Sequence, residues 1–475
     1  MAIDRNIIKA YAFKNAVEHD GKAVAGSVIS GLFNHGLTKG GIKEIMPSVN
    51  EILKEVNSLP LEKQEKEFLK YENIIGHRPE REGLPELPNV DKDGVIMRFA
   101  PAASGQLHLG HIIAGIPTSL YVKKYGGKLY VRIEDTNPEK TDYNAYEGIK
   151  KDCDWLFGNV SEYIIQSGRI SIYYKYAEEL IKKEASYVCI CDNEAFKKLV
   201  NAKKSCPCRN ISVQENLERW KKMLDKKGYR EGEAVLRFKS DLNNPNPALR
   251  DFPLARINLK KHPIQGNKYR VWPLMNLSVT VDDIEYEMTH IIRAKEHRDN
   301  ALRQKMVYKA LGKENKFPLT LFIGRIKFTD IALSKRKIKA AIEEGDFEGW
   351  EDVRLPTVVV LRKRGYQPKA FEDFAIQRGI SEVDKVISQK DLFEVINQFN
   401  REILKDKARK AELEKTDEKD ANAIILMPDA KKIYGKTDIK VKPDEIVYFK
   451  GFGYAKNNQE EKGRNSKSVF WFCHD

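Results

Sequence analysis

Cysteine is scarce, six in 475 residues. That is too few for a disulfide framework and points to a reducing compartment, the cytoplasm. No stretch approaches the roughly 18 uninterrupted apolar residues of a membrane-spanning helix, so no membrane partner is expected. The opening Met1-Ala2-Ile3-Asp4-Arg5 has an early acid and no apolar signal core, so secretory export is not expected either. No internal repeat is visible. With 41 % hydrophobic residues the chain is not apolar-poor enough to be mostly disordered. Acid falls short of base: 69 Asp and Glu against 83 Lys and Arg leave a formal charge of +14. That surplus suits a polyanionic partner such as nucleic acid, but a surface with 32 % charged residues carries it without one. At roughly 150 residues per domain, the length predicts about three domains.

The first seventy residues read as helices. Ile7, Ile8, Tyr11, Ala12 and Ala16 recur at three- and four-residue spacing, and Val24, Val28, Ile29, Leu32 and Phe33 form a second stripe. From Gly76 to Gly94, Pro79, Pro85 and Pro88 stand among charged residues, a connector that closes an appended helical domain. Then the period changes. Val95 to Phe99 predicts a strand, Ala100 to Gly105 a turn, and Leu107 to Tyr125 a helix stopped by Gly126-Gly127. Leu129 to Ile133 predicts a second strand, ending in Glu134-Asp135. Strand, helix, strand is a βαβ unit, hence an α/β fold with a parallel sheet. Ligands in such sheets sit at the carboxyl ends of the strands, where the 100–106 loop and Glu134 fall. The charged run 401–420 reads as a solvated helix or flexible linker. Beyond it Ala423–Leu426, Ile439–Val441, Ile446–Phe449 and Val469–Phe472 predict a small β domain.

Two stretches carry chemistry. His108-Leu109-Gly110-His111 follows the turn, and its histidines share one face near a helix N-terminus. Free backbone N–H groups and the helix dipole there attract phosphate, and Gly110 leaves room for a flat ligand. The bland alternative is two surface histidines on an amphipathic helix. About two hundred residues on, Ala332-Leu333-Ser334-Lys335-Arg336-Lys337 is a basic loop, worth little alone. Together the two stretches resemble the HIGH and KMSKS signatures of class I aminoacyl-tRNA synthetases. In that family the histidines and the second lysine stabilise the α-phosphate as pyrophosphate leaves, by preorganised charge and donors.

Met97-Arg98-Phe99-Ala100-Pro101, Val131 to Pro138, and Val281-Asp282-Asp283 with Met288 to Arg293 resemble the glutamyl and glutaminyl subgroup. Similarity to archaeal-type glutamyl-tRNA synthetases runs from about residue 5 to 400 and resumes at Ile446 to Tyr454. The resemblance implies a Rossmann-type catalytic domain interrupted by an acceptor-stem-binding insertion. It also implies an N-terminal helical appendage, a helical stem-contact region and a reduced C-terminal β-barrel. The expected limits are 1–90 for the appendage and linker, 91–187 and 266–330 for the catalytic halves and 188–265 for the insertion. The loop and stem-contact region take 331–405, and the linker and barrel 406–475.

The resemblance assigns His108, His111 and Lys335 to catalysis. It assigns Ala100, Ser104, Gly105, His108, Gly110, His111, Ser334 and Lys335 to ATP. Arg98, Ala100, Glu134 and Arg293 go to the amino acid, with Glu134 at the α-ammonium and Arg98 at the side-chain carboxylate. Arg293 matches an arginine that reads the substrate carboxylate in glutamyl enzymes, where glutaminyl enzymes carry a neutral residue. Each of these charges could equally be a structural ion pair. Cys189-x-Cys191 and Cys206-x-Cys208 fall in the insertion and offer four thiolates to a structural zinc, although one-residue spacing is tighter than usual; four reduced thiols is the alternative. Cys153 and Cys473 stand apart.

Four features depart from the family. Ala332 replaces the first signature lysine. Met275-Asn276 stands where many relatives place a tyrosine against the amino acid. Glu287-Met288 replaces Gly-Val and sets a negative charge near an anionic substrate, unless it points away or meets a base. Much of the first anticodon barrel is missing between 401 and 423, which weakens anticodon reading or shifts identity to the acceptor stem. The expected activity is ATP- and Mg²⁺-dependent glutamylation of tRNA(Glu), and as a hypothesis of tRNA(Gln), by a cytoplasmic monomer. A glutaminyl enzyme and a non-catalytic tRNA-binding paralogue are the rivals. A small-molecule nucleotidylyltransferase would share the first signature but is generally shorter.

Overall fold

The computed structural model describes residues 3–38, 40–71, 74–75, 83–330, 334–458 and 467–475. The chain divides into two compact units, Met1–Glu82 and Gly83–Asp475. The expected connector falls partly outside the described residues, Pro79 with it.

Among the described residues, four α-helices build the first unit: α1 (Arg5–Glu18), α2 (Ala25–Leu32), α3 (Ile42–Asn57) and α4 (Leu61–Tyr71). Asp4 starts α1 by accepting the Asn6 N–H at 2.8 Å, the usual work of an N-cap. Ile8, Tyr11, Ala12 and Ala16 are buried as their spacing predicts, against Val28, Leu32, Val49, Ile52 and Val56. The second stripe is narrower than expected. Val28 and Leu32 are buried, but Val24 caps α2 from outside and Phe33 lies past its end, and both are exposed.

In the second unit β1 (Val95–Phe99), α5 (Leu109–Tyr125), β2 (Gly127–Ile133), α6 (Ala145–Phe157) and β3 (Val160–Ile165) form the parallel βαβαβ half of a doubly wound sheet. Helix α7 (Ile170–Lys182) leads into an antiparallel insertion. It comprises β4 (Ser186–Cys189), α8 (Asn193–Asn201), α9 (Val213–Leu224), β5 (Val235–Phe238), β6 (Pro253–Ile257) and β7 (Val271–Pro273). Trp220, Leu236 and Trp272 of the insertion share a second core with Tyr173 of α7 and with Leu277, Val281 and Val307 further along the chain. The chain returns through α10 (Met275–Glu285) to β8 (His290–Ala294), α11 (Arg298–Ala310) and β9 (Leu319–Ile323), with β8 and β9 parallel. Thr289 seats β8 beside β1: its N–H bonds Ile96 O and its Oγ1 takes the Ile96 N–H, both at 2.9 Å.

Short β10 (Ile326–Phe328) precedes α12 (Lys335–Glu343), α13 (Val358–Arg364), α14 (Pro368–Arg378), β11 (Lys385–Ile387) and α15 (Gln389–Leu404). The run 401–420 is neither one helix nor a free linker. Helix α15 ends at Leu404, and the chain then pairs as β12 (Arg409–Ala411) and β13 (Glu414–Lys415). They border a seven-stranded sheet with β14 (Ala423–Leu426), β15 (Lys432–Lys436), β16 (Ile446–Phe449), β17 (Gly453–Asn457) and β18 (Ser468–His474). The expected strand at Ile439–Val441 is irregular chain. The unexpected strands β15 and β17 are rich in Lys, Gly and Asn, which local propensity disfavours and cross-strand pairing overrides. Among the described residues no helix is long and apolar enough to cross a membrane.

Candidate active site and metal centre

The turn after β1 and the start of α5 form one wall. His108 is extended (φ −133°, ψ 171°) and caps α5. Its Nδ1 accepts the Gly110 N–H at 3.1 Å, and the His111 Nδ1 accepts the His108 N–H at 3.2 Å. A ring nitrogen that accepts holds no proton, so each neutral imidazole keeps its proton on Nε2. Burial, helped by the Lys335 charge, pushes His108 down to about 3. Burial also drives His111 far below its ordinary value. Both rings are therefore neutral donors near pH 7. The backbone N–H groups expected to be free at this helix end are not. Leu109 N–H goes to Pro356 O at 3.0 Å, and those of His108 and Gly110 go to the two imidazoles.

Lys335 opens α12, and its Nζ donates to the carbonyls of Ala102 and Gly105, each at 2.9 Å. Both expected signatures thus meet at one loop, and burial lowers the Lys335 ammonium to about 8. Gly105 has φ +142°, and a Cβ there would lie 2.4 Å from Trp350 Cζ2, so this position needs glycine twice over. Ser334 is extended just before α12 and makes no side-chain cap. Ala332 and Leu333 lie outside the described residues.

Beside this loop is a cavity of about 270 Å³. Ala102, Ser104 and Glu134 line one side, and Arg256, Asn258, Trp272 and Met275 the other. Of the expected site residues Ser104 and Glu134 line it, whereas Arg98, Ala100, Gly105, His108, Gly110, His111, Arg293, Ser334 and Lys335 do not. Met275 does, where relatives carry a tyrosine. Buried His262 stacks on Trp272 with ring centroids 5.0 Å apart and donates from Nε2 to Asp135 O at 2.9 Å. Its Nδ1 accepts the N–H groups of Ile264 and Gln265. That pins the insertion to the end of β2, next to Glu134.

Glu134 joins the cavity to a layer of charge. Arg98 donates to Asp283 from Nε at 2.9 Å and from Nη2 at 3.3 Å. Arg132, fully buried, reaches Asp283 at 2.6 Å and Glu134 at 3.1 Å. Arg169 holds Asp282 at 2.7 Å. Burial alone would raise Asp283, but Arg98 and Arg132 outweigh it and its pKa falls. Arg293 differs. Among the described residues it makes no ion pair, and its side-chain hydrogen bond goes to neutral Gln304 at 2.9 Å. Burial, then the charge of Arg98, lowers it to about 10. Four guanidinium groups therefore face three carboxylates. Glu287 stands clear, exposed at a positive φ and 3.7 Å from Lys316.

Sequence reasoning gives no place to Arg169, Gln304, Trp350 or His262, while Arg132, Asp282 and Asp283 fall inside recognised motifs without a role of their own. Nothing local assigns these roles, because each residue acts through a partner far along the chain.

The four expected cysteines converge. Their sulfurs lie within 4.8 Å of one another, with Cys189 and Cys206 3.9 Å apart and Cys191 and Cys208 3.7 Å apart. A tetrahedron with Zn–S bonds of about 2.3 Å has edges of roughly 3.8 Å, so the donor set fits zinc. The Ile190 N–H points to the Cys208 sulfur at 3.5 Å, the kind of donor that supports a thiolate ligand.

The family model "tRNA synthetases class I (E and Q), catalytic domain" matches residues 94–406. The glutamate–tRNA ligase of Thermococcus kodakarensis is 43% identical over 410 residues, 84% of this chain and 70% of that protein. That of Pyrococcus furiosus is 43% identical over 403 residues, 82% and 70%. That of Methanothermobacter marburgensis is 40% identical over 408 residues, 85% and 72%. With His108 and His111 at the start of α5 and Lys335 at the start of α12 brought to one loop, the chain belongs to the class I tRNA synthetases of the glutamyl and glutaminyl group.

Proposed function

We propose that this protein is a glutamate–tRNA ligase. The α-carboxylate of L-glutamate attacks the α-phosphate of ATP, which enters as its magnesium complex, and pyrophosphate leaves. The terminal 2′-hydroxyl of tRNA then attacks the adenylate carbonyl, and AMP leaves. Arg293 carries the amino-acid choice. It is the guanidinium of the charged layer without a carboxylate, and glutamate brings one negative charge where glutamine brings none. Arg98 and Arg132 are already held by Asp283, which leaves Arg293 for the ligand. A glutaminyl enzyme would have no use for a half-buried unpaired cation, which is costly to keep.

Glu134 holds the α-ammonium at the cavity wall. The two Nε2–H groups of His108 and His111 and the ammonium of Lys335 face the charge that develops on phosphate oxygens, already oriented before reaction. Activation of glutamate requires tRNA. Charging of tRNA(Gln) with glutamate belongs to the same reading, since the amino-acid site does not inspect the anticodon. We place the reaction in the cytoplasm, carried out by a monomer.

Zinc on Cys189, Cys191, Cys206 and Cys208 serves structure, closing the start of the insertion by joining the end of β4 to the turn after α8. Metal analysis of the purified protein is expected to find one zinc per chain; a fully folded, zinc-free preparation speaks against it.

Aminoacylation with glutamate and with glutamine, on each purified tRNA and with tRNA present throughout, tests the reading. Glutamate is expected to exceed glutamine, and the reverse order refutes the assignment. Lys335→Ala is expected to lower charging by about 10²–10³ while tRNA still binds, whereas undiminished charging removes Lys335 from the machinery.

A further inference from the structure

Gln304 has no assigned role, yet it is the residue Arg293 leans on. It lies on α11, eleven positions after Arg293 of β8, where Ala301, Gln304 and Tyr308 share the buried face of the helix. It is 2 % exposed. Its Oε1 accepts the Arg293 Nη1 proton at 2.9 Å, and its Nε2 has no hydrogen-bond partner among the described residues. The guanidinium fixes which way the amide points, because the opposite orientation would set donor against donor.

The chemistry of position 304 has consequences. A carboxylate there would pair with Arg293 and cancel its charge. An apolar side chain would leave the guanidinium free to turn toward Asp283, whose charge it already feels. A neutral acceptor holds the group in place and leaves its charge for a ligand. Buried polar atoms without a partner are uncommon in native proteins, so the idle Nε2–H is a cost tolerated for that placement.

We propose that Gln304 is a positioning residue that sets specificity: it aims Arg293 at the side-chain carboxylate of the substrate and so determines preference for glutamate over glutamine. The proposal rests on the glutamate reading above.

Full-length wild type, Gln304→Met and the isosteric Gln304→Glu test it in tRNA-dependent aminoacylation with both amino acids. Gln304→Met is expected to raise the KM for glutamate about tenfold, with kcat and the KM for ATP within about threefold. Gln304→Glu is expected to lower the glutamate-over-glutamine ratio of kcat/KM by about tenfold or more, equivalent to about 1.4 kcal/mol. An unchanged KM and ratio in both variants overturns the proposal. So does a loss in Gln304→Glu that falls equally on kcat, ATP and glutamate, since a merely structural residue behaves that way. A wild type that charges no glutamate defeats the glutamate reading itself, and this proposal with it.

Discussion

Two titrating groups, the half-buried Lys335 and the buried Asp152, flank the loop that carries the signatures. Lys335, lowered to about 8 chiefly by burial, is charged below that pH and neutral above it. The pH profile of kcat/KM reports groups of the free enzyme, so kcat/KM for ATP is expected to fall about tenfold per pH unit above pH 8. Lys335→Arg, which keeps its charge, is expected to abolish that fall; steady-state rates between pH 6.5 and 9.5 decide it. No limb near pH 6.5 is expected, because His108 is held neutral down to about 3. Asp152 on α6 is the second group. It is buried, neither carboxylate oxygen has a hydrogen bond, and Arg362 stands 3.7 Å away. Burial raises it to about 7. Because the folded pKa is raised, its favourable contribution is full below the unfolded value and is lost as pH rises through about 7. Asp152→Asn is expected to add up to about 4 kcal/mol at pH 8 and below about 1 kcal/mol at pH 4, read from denaturant midpoints at the two pH values.

At the scale of elements, two histidines three apart and a glycine-bearing turn announced α5, and only its first residue shifted, from Leu107 to Leu109. That shift matters, since it makes His108 the cap and turns the imidazoles, not the backbone, into the donors of the helix end. The partner of this end is the segment Trp350 to Thr357, which supplies a carbonyl to Leu109 and an indole over Gly105. Nothing in the pattern of 350–357 forecasts it. Gly105→Ala forces a Cβ into that indole at a backbone angle side chains rarely adopt. It is expected to cost about 1–3 kcal/mol in stability and to lower adenylation, measured by thermal unfolding and by tRNA-dependent pyrophosphate exchange. Strands β15 and β17 were missed for a related reason: a Lys- and Gly-bearing strand is held by its neighbours' backbones rather than by its own side chains.

Across the molecule the charge is uneven. Residues 1–82 hold twelve basic and twelve acidic side chains, whereas 188–265 hold seventeen against nine. The appendage thus adds nothing to the net surplus, and the insertion provides more than half of it. Phosphate contacts give RNA binding its salt dependence. Removing 1–82 is therefore expected to leave the tRNA Kd within about threefold and the slope of log K against log salt unchanged, in fluorescence titrations at several salt concentrations. A tenfold loss would make the appendage an RNA-binding element.

Whatever depends on local spacing is legible in the sequence. It revealed the helical appendage, the βαβ unit, the two signatures, the paired cysteines and the charge surplus, because periodicity, turns and short motifs are written in neighbouring residues. Which charges cancel emerges only on folding. Arg98, Arg132, Arg169 and Arg293 look alike as letters, yet Asp282 and Asp283 claim three of them and Gln304 holds the fourth. Pairing is a matter of distance in space, set by how β1, β2, β8, α10 and α11 meet, and no spacing along the chain encodes it. The scarce cysteines likewise mark a metal site only because folding brings four sulfurs within 4.8 Å.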